Sequence, residues 1–202
     1  MDLKIYSKFP KWAMIIVVSL VIIVIVFVIR FAFVRGTAAP QEFLDAQNEV
    51  SSIAQSIVEA SNESIKNINE TSRLSNEGKD DEALNIVSRE IINNRQTSGK
   101  GLELLSKLQA MTNSTAGITP ESSQQIAFKA MIAETKLITN LNSYNGNLSQ
   151  LLEVLKLKLL GQGNDLHQKI VDLVGELNAE AKGINASNQE FNDLMNQFDK
   201  GK

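Results

Sequence analysis

The N-terminal region contains the feature that constrains this chain most, an apolar run longer than an ordinary strand. Residues 12–29 carry no charge, and Arg30 is the only charged residue between Trp12 and Val34. A helix rises about 1.5 Å per residue, so residues 12–29 span roughly 27 Å, close to the ~30 Å hydrocarbon core of a bilayer. A lone segment in lipid satisfies its own backbone groups only as a helix. The sequence therefore predicts a transmembrane helix over residues 12–34.

The charges on either side of this run predict its orientation. Short cytoplasmic segments carry an excess of Lys and Arg, and aromatic rings such as indole favour the membrane boundary. Three lysines precede the run and two arginines close it. The membrane-flanking residues are Lys4, Lys8, Lys11, Trp12, Arg30 and Arg35. We therefore expect a single-pass protein of the cell membrane, with residues 1–11 as a cytoplasmic tail, 35–40 as a linker, and the C-terminal domain extracytoplasmic.

A cleaved signal peptide is the alternative interpretation of the same run. Thr37, Ala38 and Ala39 resemble the small residues of a cleavage site. The apolar part of a signal peptide is typically about 7–15 residues long, however, and this run is longer. The sequence favours an anchor that is retained.

After the linker, apolar residues recur with a helical period. In the last segment Ile170, Leu177, Ile184, Phe191 and Phe198 repeat every seven residues. Residues that favour turns interrupt such patterns at 76–79, 113–117 and 161–163. Four helices are therefore predicted, and their ranges are 41–75, 80–111, 120–160 and 165–198.

Short connections and seven-residue stripes predict how these helices pack. Short loops place consecutive helices antiparallel, and heptad stripes give coiled-coil-like packing. The predicted fold is all-α, an elongated antiparallel four-helix bundle over residues 41–198 with a short tail at 199–202. Two helical hairpins that pack only in a dimer are a second possibility. Gly99 and Gly101 either break or kink the second helix, because glycine is a poor helix former.

Polar residues interrupt the predicted stripes. The stripe of the second helix runs Leu84, Val87, Ile91, Asn94, Ser98, Leu102 and Leu105. The residues that form a possible polar core layer are Asn94, Ser98, Glu134, Glu180 and Ser187. Such a layer fixes helix register or lines a ligand cavity. The alternative is a loosely packed bundle that leaves these residues at the edge of the core, and the sequence favours this alternative.

The inventory of reactive side chains argues against catalysis. The chain has no cysteine and a single histidine, His167, so the usual zinc and thiolate chemistries lack ligands. No cofactor or metal is expected, and the chain is predicted not to be an enzyme. Of the 20 basic residues five precede Gly36, and of the 23 acidic residues one does, so the part after the anchor carries about −7. This charge argues against nucleic-acid binding, which depends on Lys and Arg.

The predicted function follows from this organisation. We expect a non-catalytic, membrane-anchored scaffold or partner-binding module that faces the extracytoplasmic space and binds a protein partner or itself. The alternative is an extracytoplasmic small-ligand sensor that works with a separate transducer.

Three resemblances are carried by one short motif and by the layout of the chain. Residues 74–84 resemble the turn of a tetratricopeptide repeat, but no second copy follows at that family's period of about 34 residues. The layout of a short tail, one anchor and a long helical region resembles LemA-type membrane proteins and the ligand-binding bundle of bacterial chemoreceptors. The Pro-Asn-Leu-Val motif of the former and the second membrane helix of the latter are absent from this sequence, so no family is assigned.

Overall fold

A computed structural model describes residues 38–163 and 166–200 and confirms the all-α prediction with four helices. These are α1 (Gln41–Asn76), α2 (Asp80–Ser114), α3 (Glu121–Leu159) and α4 (Leu166–Asp199). A 3-10 turn at Thr115–Gly117 follows α2. The predicted tail 1–11, the membrane segment 12–34 and the first linker residues lie outside the described residues. Within the two described ranges, none of the helices combines the length and the apolar character needed to cross a bilayer.

Glycine residues end two of the helices where the sequence predicts turns. Gly78 has a φ of 76°, and the next amide, that of Lys79, donates 2.9 Å to the carbonyl of Leu74. Gly161 has a φ of 66°, and the amide of Gln162 donates 2.8 Å to the carbonyl of Leu157. Glycine adopts this left-handed conformation without a steric penalty, so both helices close with their last carbonyls satisfied.

The α2 helix is continuous from Asp80 to Ser114, which settles the question of a break at Gly99 and Gly101. A Cβ atom at Gly99 would meet no atom within 4 Å, whereas one at Gly101 would lie 2.6 Å from Oδ1 of Asn142. Gly101 therefore lies directly against the side chain of Asn142 on α3, and the described residues form four α-helices rather than five.

The chain reaches α1 through a contact with the α2–α3 connection. Ala38 and Thr119 form an isolated antiparallel bridge, in which each amide donates 3.0 Å to the other residue's carbonyl. Pro40 packs on Gly117, where an added Cβ would lie 2.5 Å from Cγ of the proline. The start of α1 is thereby held beside the turn that joins α2 to α3, and we call this the bridge end of the bundle.

Consecutive helices pack against each other along the bundle: α1 on α2, α2 on α3 and α3 on α4. The backbones of α1 and α4 approach each other closely at very few points, although the rings of Phe43 and Phe198 lie 6.1 Å apart between centroids. Apolar side chains fill the interior in two clusters. One, which includes Phe43, occupies the bridge end, and the other, which includes Leu152, occupies the opposite half.

The predicted stripe of α2 is wrong in its second half. Leu102 and Leu105 are exposed, and the stripe from Asn94 onwards passes instead through Thr97, Gly101, Leu104, Leu108 and Met111. The predicted stripe goes from Asn94 to Ser98 and on to Leu102 in two successive steps of four residues. Two such steps in a row turn away from the buried face of the helix. The buried residues alternate steps of three and four, which stays on one face of a helix with 3.6 residues per turn.

Candidate functional site: polar residues in the bundle interior

The structure places three of the five predicted polar residues deeper in the core than the sequence favours. Asn94, Glu134 and Ser187 are buried, whereas Ser98 and Glu180 are partly buried. The expectation that the whole set lies at the edge of the core is therefore wrong for the first three. Buried positions continue on both sides of each of these three residues, so each lies on the buried face of its helix.

Asn94 links α2 to α3 near the middle of the bundle. Its side-chain Nδ2 donates 2.9 Å to the backbone carbonyl of Asn145, and both residues are buried. The Oδ1 atom of Asn94 and the Nδ2 atom of Asn145 have no hydrogen-bond partner among the described residues. The single hydrogen bond between the two residues therefore leaves one acceptor unpaired on Asn94 and one donor unpaired on Asn145. The partly buried Ser98 donates 3.0 Å to the backbone carbonyl of Asn94 and adds no contact between helices.

Glu180 links α4 to α3 through its carboxylate. Oε1 accepts a 3.0 Å hydrogen bond from Nδ2 of Asn147, while Oε2 is buried and has no partner in the described part of the chain. Burial raises the pKa of Glu180, against the opposing effect of the hydrogen bond from Asn147. Burial together with the charge of Glu180 raises the pKa of Tyr144 to about 12, so the phenol stays neutral.

Glu134 is the most unusual residue of the interior. Its side chain is 0% exposed, and within residues 38–163 and 166–200 neither carboxylate oxygen has a hydrogen-bond partner. Burial raises the pKa of Glu134 from 4.5 to about 8. Removing a carboxylate from water without a compensating partner is costly, so the group is mostly protonated at neutral pH. Ser187 on α4 is buried in the same way, with an unpartnered Oγ.

Sequence reasoning missed the best satisfied polar cluster, which surrounds Glu90 on α2. The buried carboxylate of Glu90 accepts hydrogen bonds from Oγ of Ser64 at 2.6 Å, Nδ2 of Asn67 at 2.7 Å and Nδ2 of Asn93 at 3.0 Å. Ser64 and Asn67 belong to α1, so this cluster joins the two helices. A usable signal was present, since Glu90 stands three residues after Val87 and directly before Ile91, on the buried face.

The remaining candidate residues show no grouping that could bind a metal. His167 is exposed in the first turn of α4. Across the described ranges, no three residues of the types His, Cys, Asp and Glu are grouped so that they could hold an ion. The membrane-flanking residues lie outside the described part of the chain. The unpaired polar atoms of Asn94, Asn145 and Glu180 can form hydrogen bonds with a polar ligand or with water, and the carboxylate of Glu134 can bind a proton.

Comparison with known proteins does not assign the chain to a family. A scan against protein-family models, a search of curated proteins and a search of solved structures each found no match.

Proposed function

We propose that this protein is a non-catalytic, membrane-anchored helical bundle that acts as a scaffold or partner-binding module on the extracytoplasmic side of the membrane. The observation that carries this proposal is the uncharged run of residues 12–29, which is joined by a short linker to a rod of four helices. Helices of 34 to 39 residues are about 50–60 Å long at 1.5 Å per residue, so the rod reaches well beyond a membrane surface.

The bridge end supports this arrangement. Ala38 is hydrogen bonded to Thr119, so the described chain begins at one end of the rod rather than along its side. An anchor that precedes residue 38 would therefore hold the rod by its end, which leaves the helical faces accessible to partners.

Cysteine labelling tests the topology, because the native chain has no cysteine. In full-length protein in intact cells, a membrane-impermeant maleimide is expected to label Ser52→Cys, an exposed position of α1. The matched variant Ser7→Cys, in the predicted cytoplasmic tail, is expected to react only after lysis. The opposite pattern overturns the orientation, and release of the unmodified protein by carbonate washing overturns the anchor.

A second candidate function, small-ligand sensing, is favoured by the unpaired buried atoms Oδ1 of Asn94, Nδ2 of Asn145 and Oε2 of Glu180. A ligand present at 100 times its dissociation constant stabilises a protein by about 2.7 kcal/mol, which a thermal-shift screen detects. A compound that stabilises the wild-type chain but not the Asn94→Leu variant supports sensing. Stabilisation that is equal in both proteins places the ligand elsewhere.

A further inference from the structure

Four of the large apolar side chains that are exposed on the described part of the bundle lie on one of its faces. Leu102 and Leu105 on α2 are 67% and 42% exposed, and Phe128 and Ile132 on α3 are 51% and 56% exposed. We call these four residues the α2–α3 strip. Contiguous exposed apolar side chains on a soluble surface commonly mark an interaction site.

The helical phase places both halves of the strip on the same outer face of the bundle. On α2, Gly101 packs against α3, whereas Lys107 forms an ion pair with Glu49 of α1. At about 100° per residue, Leu105 lies about 40° around α2 from Gly101 and Leu102 about 100°, so Leu105 borders α3 and Leu102 points outward, away from α1.

The same reasoning applies to α3. Its Asn142 contacts α2, whereas its Asn147 contacts α4. Relative to Asn142, Phe128 lies about 40° and Ile132 about 80° around α3, so both point outward between the directions of α2 and α4, with Phe128 nearer to α2. The four side chains therefore lie on one outer face of α2 and α3, in the half of the bundle nearest the bridge end, where Gln124 donates 3.1 Å to the carbonyl of Thr115.

The charges of the four helices differ between the two sides of the bundle. The outer helices are acidic: α1 carries six acidic and two basic residues, as does α4, so each has a formal charge of −4. The inner helices are nearly neutral, because α2 has five acidic and four basic residues and α3 has three acidic and four basic. Two copies that met through α1 or α4 would bring like charges together, which opposes association.

We infer that the α2–α3 strip is the surface through which two copies of this chain associate, side by side and related by a two-fold axis. The strip is uncharged and contains an aromatic residue, as is typical of interface cores. A two-fold axis brings the same patch of both copies together, so one neutral face serves both partners. The parallel arrangement rests on the proposed membrane anchor, which would hold both copies by the same end.

Single cysteines make this inference testable in full-length protein within membranes. Ser106 is exposed on α2 next to Leu105, whereas Ser52 is exposed on α1. A short bismaleimide is expected to join two copies of the Ser106→Cys variant into a dimer and to leave the Ser52→Cys variant monomeric.

Changes within the strip provide the decisive control. In the Ser106→Cys background, Phe128→Glu is expected to reduce the yield of cross-linked dimer about tenfold or more, which corresponds to a loss of about 1.4 kcal/mol in association. Leu157→Glu alters a comparably exposed leucine at the opposite end of α3 and is expected to leave the yield unchanged. Circular dichroism confirms that both variants remain helical.

Several outcomes overturn the inference. Absence of a Ser106→Cys dimer, an equal yield from Ser52→Cys, or an adduct with the mass of a different protein each rule out pairing through the strip. These outcomes are separable from failure of the anchor, because maleimide labelling and carbonate washing report the topology whether or not two copies pair.

Discussion

Glu134 gives the protein a stability that depends on pH in a direction opposite to that of most carboxylates. Its pKa is raised from 4.5 to about 8 by burial, so the folded state binds a proton that the unfolded state releases. Stability from this group is fully present below pH 4.5 and is lost as the pH rises towards 8. At about 1.4 kcal/mol per pH unit, the loss between pH 5 and pH 8 amounts to roughly 3–4 kcal/mol. Domains are commonly stable by only about 5–15 kcal/mol, so this is a large effect.

Urea denaturation of the full-length protein, followed by circular dichroism at pH 5 and pH 8, measures this loss. The Glu134→Gln variant keeps the shape of the side chain but cannot ionise, so its free energy of unfolding is expected to fall by roughly 3–4 kcal/mol less than that of the wild type. Ser187→Ala is the matched control, since it removes an unpartnered buried group that does not titrate. Equal pH dependence in wild type and Glu134→Gln would refute the reasoning.

Four further substitutions probe the packing, each by urea denaturation. Leu104→Ala is expected to destabilise a single copy of the bundle by about 2–5 kcal/mol and Leu102→Ala by less than about 0.5 kcal/mol, because only the first side chain is buried within one copy; equal effects at a protein concentration too low for association would contradict the observed face of α2. Gly99→Ala is expected to stabilise it by about 0.5–1 kcal/mol, since a methyl group meets open space in mid-helix; destabilisation would show a constraint at that site. Glu90→Leu is expected to lower the free energy of unfolding by about 2–3 kcal/mol, because the donors on Ser64 and its neighbours would lose their acceptor. An unchanged urea midpoint would argue against the cluster.

The helix boundaries were predictable because glycine and proline mark them in the sequence. The predicted range 80–111 for the second helix differs from α2 by three residues at one end, and the predicted range 41–75 differs from α1 by one. The turn at Gly78 has a local cause, the left-handed backbone, so no knowledge of the tertiary structure was needed.

The interior polar residues were less predictable because their burial depends on neighbouring helices. The sequence showed that Glu134 interrupts an apolar stripe, but a charge in such a position usually lies at the edge. Glu90 escaped notice because its three donors include residues of another helix, and only the packing of α1 on α2 brings them together. The exposed face of α2 was misplaced because Leu102 and Leu105 are apolar without being buried.

The sequential packing of the four helices has a consequence for the order in which the protein assembles. Most tertiary contacts join helices that follow one another in the chain, so each hairpin closes over a short connection at little entropic cost. The meeting of Phe43 with Phe198 joins the first helix to the last and requires the whole domain to be in place. We therefore expect this seam to close last during folding and to separate first when the native structure loosens.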